Sequence, residues 1–243
     1  MRAWLSGSLA AVLIAAPLIA ASATSFAVLL GSPDRPAADK ARDADRKPAE
    51  LMAFGGIKSG AIVAELAPGG GYYTRLLSLA VGPKGHVYTV SSRPSAAVGE
   101  WAKTHVNTTE QSGLALAKGL APVPVDVVWT SLNYHDFKNI KDGDSDMALR
   151  LTKGAFAALK PGGIFLVNDH ESQPGTGASV TSTLHRIESA YVIKEVEASG
   201  FKLDAKSDML RHPEDPRTAH EQDVARGKTD QMVLRFKKPK GKR

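Results

Sequence analysis

The stretch AIVAELAPGGGYYTRLLSLAV, Ala61 to Val81, constrains the fold more than any other. Its first six residues form a short, mostly apolar run of the kind a strand buried on both faces requires, and after three glycines the apolar residues recur at helical spacing. A buried strand that turns tightly into a helix opens a parallel α/β unit, because parallel strands need a crossover and the crossover is right-handed. The alternation continues. HVYTV reads as a second strand, Ala96 to His105 as a helix, and VDVVWTSL as a strand followed by a loop rich in Asp and Asn. Asp146 to Leu159 reads as a helix closed by Lys160-Pro161-Gly162-Gly163, GIFLVNDH as a strand, and Thr183 to Ser199 as a helix stopped by Gly200. FKLDAKSDML and DQMVLRFKK alternate with period 2 and are joined by the polar insert HPEDPRTAHEQDVARGKT, which points to one antiparallel strand near the edge. The predicted class is α/β, a Rossmann-like, doubly wound, mostly parallel sheet.

A chain of 243 residues with 43% hydrophobic content suits one such domain with appendages. The net charge of +6 is concentrated at the end, in FKKPKGKR, and no aromatic-rich basic stripe accompanies it, so nucleic acid is not the expected partner. Residues 1–23 read as a signal peptide, with one early positive charge, an uncharged run and Ala21-Ser22-Ala23 as the cleavage pattern; the alternative is an uncleaved anchor reaching about Gly31, the only expected membrane contact. Residues 24–50 read as a linker and a short charged helix packed on the domain, 51–239 as the domain, and 240–243 as a basic tail. The compartment expected is periplasmic or extracellular, and with no cysteine the chain carries no disulfide.

The glycine turn is where such a sheet takes a ligand, beyond the carboxyl end of its first strand. A phosphate-binding P-loop would end in Gly-Lys-Ser/Thr, but Gly71 is followed by Tyr72-Tyr73. A dinucleotide fingerprint asks for Gly or Ala where Thr74 stands. Glu65, at the strand's end, repels a pyrophosphate and welcomes a cation. A phosphate-free, positively charged adenosine ligand fits these residues, and S-adenosylmethionine is one. The chain resembles class I S-adenosylmethionine-dependent methyltransferases, and more closely a group of exported bacterial proteins of that kind. The residues that carry the resemblance are ELAPGGGYYTRLL, VGPKGHVYTV, SLNYHDF, ALKPGGIFLVNDH, SDMLRHPEDPRT and TDQMVLRFKKP, spanning about Arg42 to Pro239. The resemblance implies a seven-stranded sheet whose seventh strand runs antiparallel between the fifth and sixth. It also implies that Glu65, Gly69, Gly70 and Gly71 face the cofactor, with Tyr73 and Asn133 beside it. Where the family ends its second strand in an acid that holds the ribose, this chain has Ser91.

Asn133-Tyr134-His135-Asp136 and Asp169-His170-Glu171 follow strands that the resemblance makes neighbours, so their loops should converge on the small-molecule substrate. His135 or His170 is expected as the base of methyl transfer, with Asp136 or Asp169 orienting the imidazole. No metal is assigned; the two His and two Asp would suit zinc as an alternative, but short metal-binding spacings are missing. His185-Arg186 is placed on a helix as a weaker substrate contact, and Trp101 and Trp129 are read as packing residues. Tyr72 and Tyr73 either line the ligand pocket or pack on the sheet, and Arg42, Asp45 and Arg46 either lid the site or form a solvated face. The function expected is exported methyl transfer to a small or medium-sized acceptor; the alternatives are a non-catalytic binding module on the same fold and a metal-dependent hydrolase.

Overall fold

The computed structural model describes residues 26–113, 119–225 and 227–241, so the signal-peptide reading of residues 1–23 and the last two residues of the basic tail lie outside the described residues. Seven strands build one sheet: β1 Ile62–Leu66, β2 His86–Ser91, β3 Thr108–Ser112, β4 Val125–Ser131, β5 Leu159–His170, β6 Lys202–Ser207 and β7 Gln231–Lys237. Their order is β3-β2-β1-β4-β5-β7-β6. The first five pair in parallel, while β7 runs antiparallel to both β5 and β6, one place in from the edge. Chain order reverses at β1 and β4, so the crevice lies beyond their carboxyl ends.

β1 shows why the sheet is buried on both faces. Val63 packs into one core cluster with Leu51, Met52, Leu76, Leu77 and Trp129, while Ala64 and Leu66 point to the other, with Leu151, Phe165, Val192 and Phe201. Helices α1 Pro48–Phe54 and α2 Tyr72–Val81 cover the first face; α4 Tyr134–Lys138, α5 Met147–Ala158 and α6 Ser189–Ala198 cover the second, and α3 Ala96–Thr104 packs beside β3. Trp101 and Trp129 are buried packing residues, as the sequence predicts. Among the described residues no helix is long and apolar enough to cross a membrane.

Thr108–Ser112, TTEQS, supplies the strand that no apolar run announces; it is an edge strand with little to bury. Two sequence expectations need correction. The segment after β4 begins with a helix, α4, so Tyr134, His135 and Asp136 lie on its first turn rather than in a loop. The helix expected over 183–199 is broken: a single turn ends at Leu184, His185 adopts a left-handed backbone (φ 50°), and α6 starts at Ser189. His185-Arg186 therefore lies on an interrupted connection, and Arg186 is fully buried rather than on an exposed helix face.

The N-terminal segment packs on the domain. Asp39, buried, accepts from Arg75 Nε at 2.6 Å, and Arg75 also donates to the Gly70 carbonyl at 2.7 Å. Asp43 takes both Arg35 nitrogens, at 2.8 and 2.7 Å, and the Tyr72 hydroxyl at 2.7 Å. At the other end Lys238, just before the basic tail, is structural: its Nζ donates to the carbonyls of Phe156 and Leu159, closing the end of α5.

Candidate functional site

Three cavities run side by side across the carboxyl ends of β1 and β4. The first, about 410 Å³, is walled by Ala67, Pro68 and Gly69, by Val90 to Ser95 after β2, and by the apolar side chains of Phe137, Ile140, Met147 and Leu151. The second, about 220 Å³, shares Ala67, Pro68, Gly69 and Asn133 with it, and adds Glu65, Gly70, Tyr72, Tyr73, Ser131, Leu132, Arg42 and Arg46. The third, about 460 Å³, shares Arg42, Arg46 and Leu132 with the second; Asp45, His170 and the insert before β7, with Glu221, Thr229 and Gln231, complete it. The apolar compartment thus shares wall residues with the charged one, and the charged one with the polar one.

The strand ends are bent to make this space. Ala67 and Leu132, the residues that follow β1 and almost directly follow β4, have positive φ without being glycine, at 51° and 59°. Such backbone costs on the order of 1–3 kcal/mol per residue and persists where surrounding structure enforces it. Here the Asn133 amide does so, donating to Ser131 O at 2.6 Å and Ala67 O at 3.3 Å and tying the two ends together. The glycines divide their work. Gly69 and Gly70 line the cavities, and a Cβ on either would meet nothing within 4 Å, so ligand room is what they preserve. Gly71 lies outside the lining; with φ 78° it starts α2, where a Cβ would press on Arg75. Ser95, whose hydroxyl donates to Gly69 O at 2.7 Å, fixes the loop from the other side.

Glu65 is buried, with Thr74 Oγ1 donating to it at 2.6 Å. Burial pushes its carboxyl up to about 7 against the pull of the Thr74 hydrogen bond and the Arg75 charge. Tyr72 and Tyr73 do both things expected of them: they pack in the core and their edges line the second cavity. Ser91 stands at the end of β2 in the apolar compartment, where its hydroxyl donates to Arg93 O at 2.7 Å.

The two polar segments do converge, but unequally. Asp169, fully buried, accepts from the His135 backbone N–H and ring Nδ1, both at 2.7 Å, and from the His170 N–H at 2.8 Å. His135 Nε2 faces Asp136 Oδ1 at 3.3 Å. Burial disfavours the charged ring, but the carboxylates of Asp169 and Asp136 outweigh it and push His135 up to about 10. His135 is therefore no free base, since both its nitrogens are occupied by carboxylates. His170 is the opposite case: burial, with the charge of His135 beside it, pulls its ring down to about 4, the buried Nδ1 has no hydrogen-bond partner among the described residues, and the ring lines the third cavity. Arg42, Asp45 and Arg46 border that cavity, as a lid would. Glu221, Thr229 and Gln231 were missed by sequence reasoning; the only signal of the first two is the polarity of the insert that carries them, and Gln231 opens β7.

No protein-family profile matches the chain, and no curated protein matches it. Solved structures do. An S-adenosylmethionine-dependent methyltransferase from Aquifex aeolicus aligns with a TM-score of 0.58 at 15% identity, over 89% of this chain and 98% of its own. This chain has the class I methyltransferase fold. An arsenic(III) S-adenosylmethionine methyltransferase from Chlamydomonas reinhardtii aligns at 0.53 and 18% identity, over 92% of this chain and 74% of its own. The cyclase SpnF aligns at 0.59 and 16%, over 92% and 93%. A methyltransferase fold thus also serves a protein described as a cyclase, so function on it is argued from the site.

Proposed function

We propose that the chain is an exported S-adenosylmethionine-dependent methyltransferase acting on a small or medium-sized acceptor. The observation that carries the proposal is the adjoining pair of cavities at the β1/β4 crevice: an apolar compartment of about 410 Å³, suited to an adenosine, sharing Gly69 with a charged one that holds Glu65. Glu65 suits an ammonium, and Arg42 and Arg46, of opposite charge in the same lining, suit a carboxylate, so the second compartment matches the amino-acid end of the cofactor. When bound, S-adenosylmethionine supplies an activated methyl group. The chain's own part is positional: Asn133 and the strained strand ends hold the two compartments open, and the third cavity receives the acceptor. His170, the imidazole on that cavity's wall, takes the acceptor's proton as the oxygen or nitrogen is methylated. The export half of the proposal rests on the N-terminal pattern of residues 1–23, and fractionation of expressing cells tests it.

Calorimetry with S-adenosylhomocysteine tests the cofactor half. Saturable one-to-one binding is expected, and Gly70→Asp, whose Cβ enters open space, should weaken it by about a hundredfold, close to 3 kcal/mol. A folded chain that gives no binding at high micromolar ligand sinks the proposal. His170→Asn should lower kcat by about a hundredfold or more on an acceptor that supports turnover, with S-adenosylhomocysteine affinity unchanged; an unchanged kcat removes His170 from the chemistry. One observation favours a second reading, a non-catalytic binder: among the described residues no carboxylate lines the apolar compartment, and the Ser91 hydroxyl is spent on Arg93 O. Binding without methyl transfer to any tested acceptor would select it.

A further inference from the structure

We propose that His135 Nε2, one carboxylate oxygen of Asp136 and His185 Nδ1 form a zinc site beside the acceptor cavity. The ligand atoms of these three residues all lie within 4.8 Å of one another. Asp136 Oδ1 is 3.3 Å from His135 Nε2 and 3.1 Å from His185 Nδ1. Ligands at the ordinary zinc distance of roughly 2.0–2.1 Å, tetrahedrally placed, stand about 3.3–3.4 Å apart. Both edges to Asp136 Oδ1 already match that spacing, and the two imidazole nitrogens, within 4.8 Å of each other, close on an ion by a shift of the partly exposed His185 ring.

The surroundings orient it. Asp169 holds His135 by Nδ1 and by the backbone N–H, which leaves Nε2 as the nitrogen presented to Asp136. A carboxylate behind a ligating histidine is the arrangement that fixes ring tautomer and raises ligand basicity at metal centres. His185 is held by a left-handed backbone, φ 50° and ψ 48°, uncommon for a residue with a side chain. That strained residue ends the single turn at Thr181–Leu184 and sets its ring edge-on to His135, with centroids 5.2 Å apart. A nitrogen–nitrogen–oxygen set favours zinc or another late divalent ion over magnesium or calcium. The site also has an open side: the Asp136 and His185 side chains are 43% and 33% exposed, so water or an acceptor group completes the coordination.

The ligand set differs from the quartet that the sequence offered. Asp169 faces inward as the support of His135, and His170 turns to the cavity with its ring 5.9 Å from that of His135. His185 takes their place. The competing account is a purely hydrogen-bonded cluster, in which Asp136 accepts from a ring N–H of His135 and of His185.

Zinc titration of tag-free, chelator-treated chain separates the two. One equivalent is expected to bind, and Asp136→Asn and His185→Gln, both at partly exposed positions, should each weaken binding by at least about tenfold. Cobalt(II) added to the wild-type chain should give the intense visible bands of a four- or five-coordinate ion. Absence of stoichiometric zinc binding, equal affinity in wild type and both variants, or a cobalt spectrum like that of the aqueous ion would each overturn the site. S-adenosylhomocysteine affinity measured on the same samples reports separately on the methyltransferase reading and on the fold of the variants.

Discussion

Replacing Arg186 with methionine is expected to cost about 3–5 kcal/mol of folding stability, the range for removing one partner of a buried ion pair. Arg186 is fully buried, and its guanidinium meets Asp215 at 2.8 and 3.3 Å, the Glu171 carbonyl at 3.1 Å and the Ala219 carbonyl at 2.9 Å. Methionine fills similar volume and removes all four bonds. Asp215 would keep the backbone N–H groups of Asp230 and Arg217, at 2.7 and 2.9 Å, but lose its counter-charge. Although burial raises the Asp215 carboxyl, those two N–H groups and Arg186 bring it below the usual carboxylate value. Its contribution is therefore present above the unfolded-state value and is lost as pH falls through the lower folded one. A protein of this kind has about 5–15 kcal/mol in all, so the change should be plain in a urea melt. The double variant Arg186→Met with Asp215→Leu should recover part of the loss, because no charge is then stranded. A loss below about 1 kcal/mol in the single variant would show that the pair contributes little. What the pair secures is local: Asp215 and Asp230 anchor the insert whose Glu221 and Thr229 wall the third cavity.

How legible the molecule was follows from what each residue has to bury. β1, β4 and β5 lie between two covered faces, so Val63, Val127 and Phe165 must be apolar, and the runs that contain them stand out in the sequence. β3 pairs on one side only and could be written TTEQS. The break at His185 left no mark, because neither Gly nor Pro stands between Thr183 and Glu188, and beyond it Val192 and Val196 keep helical spacing. The same rule divides the site. Glu65, Gly69, Ser91 and Asn133 were found because the fold pins ligands to strand ends, and strands were visible. The insert's contributors follow no periodicity, since their backbone is held by Arg186, Asp215 and Asp230 rather than by a repeating pattern. Arg42 and Arg46 lay open to two readings, and the structure turns them toward the cavities. That placement also qualifies the inference drawn from Glu65: the compartment is not purely anionic, so Glu65 alone does not repel a phosphate, and the small volume of about 220 Å³ together with the paired charges is the better ground for an amino-acid ligand.

Glu65→Gln is expected to weaken S-adenosylhomocysteine binding at pH 8 by about a hundredfold, the lower part of the 2–5 kcal/mol attached to removing one partner of a buried, hydrogen-bonded charge pair. The companion effect is on pH. Because burial holds the free Glu65 carboxyl up at about 7, the acid is largely protonated at pH 6 and must lose its proton to receive the ligand's ammonium. Affinity in the wild type should therefore rise by about tenfold per unit up to pH 7 and level off above it, whereas the Gln variant should be flat. Stability of the unliganded chain runs the other way. A carboxyl raised from 4.5 to about 7 stabilises the fold fully below the lower value, and that contribution, up to about 3 kcal/mol, is lost as pH rises through the higher one. Tightening of the ligand with rising pH, against loosening of the empty chain, is a pair of opposite slopes that one buried acid produces and that loss of Glu65 should erase together. Calorimetry and thermal melts at pH 5.5, 6.5, 7.5 and 8.5 on both proteins measure the two slopes. A wild-type affinity that does not change across that range would remove Glu65 from contact with the ammonium, and with it the assignment of the second compartment.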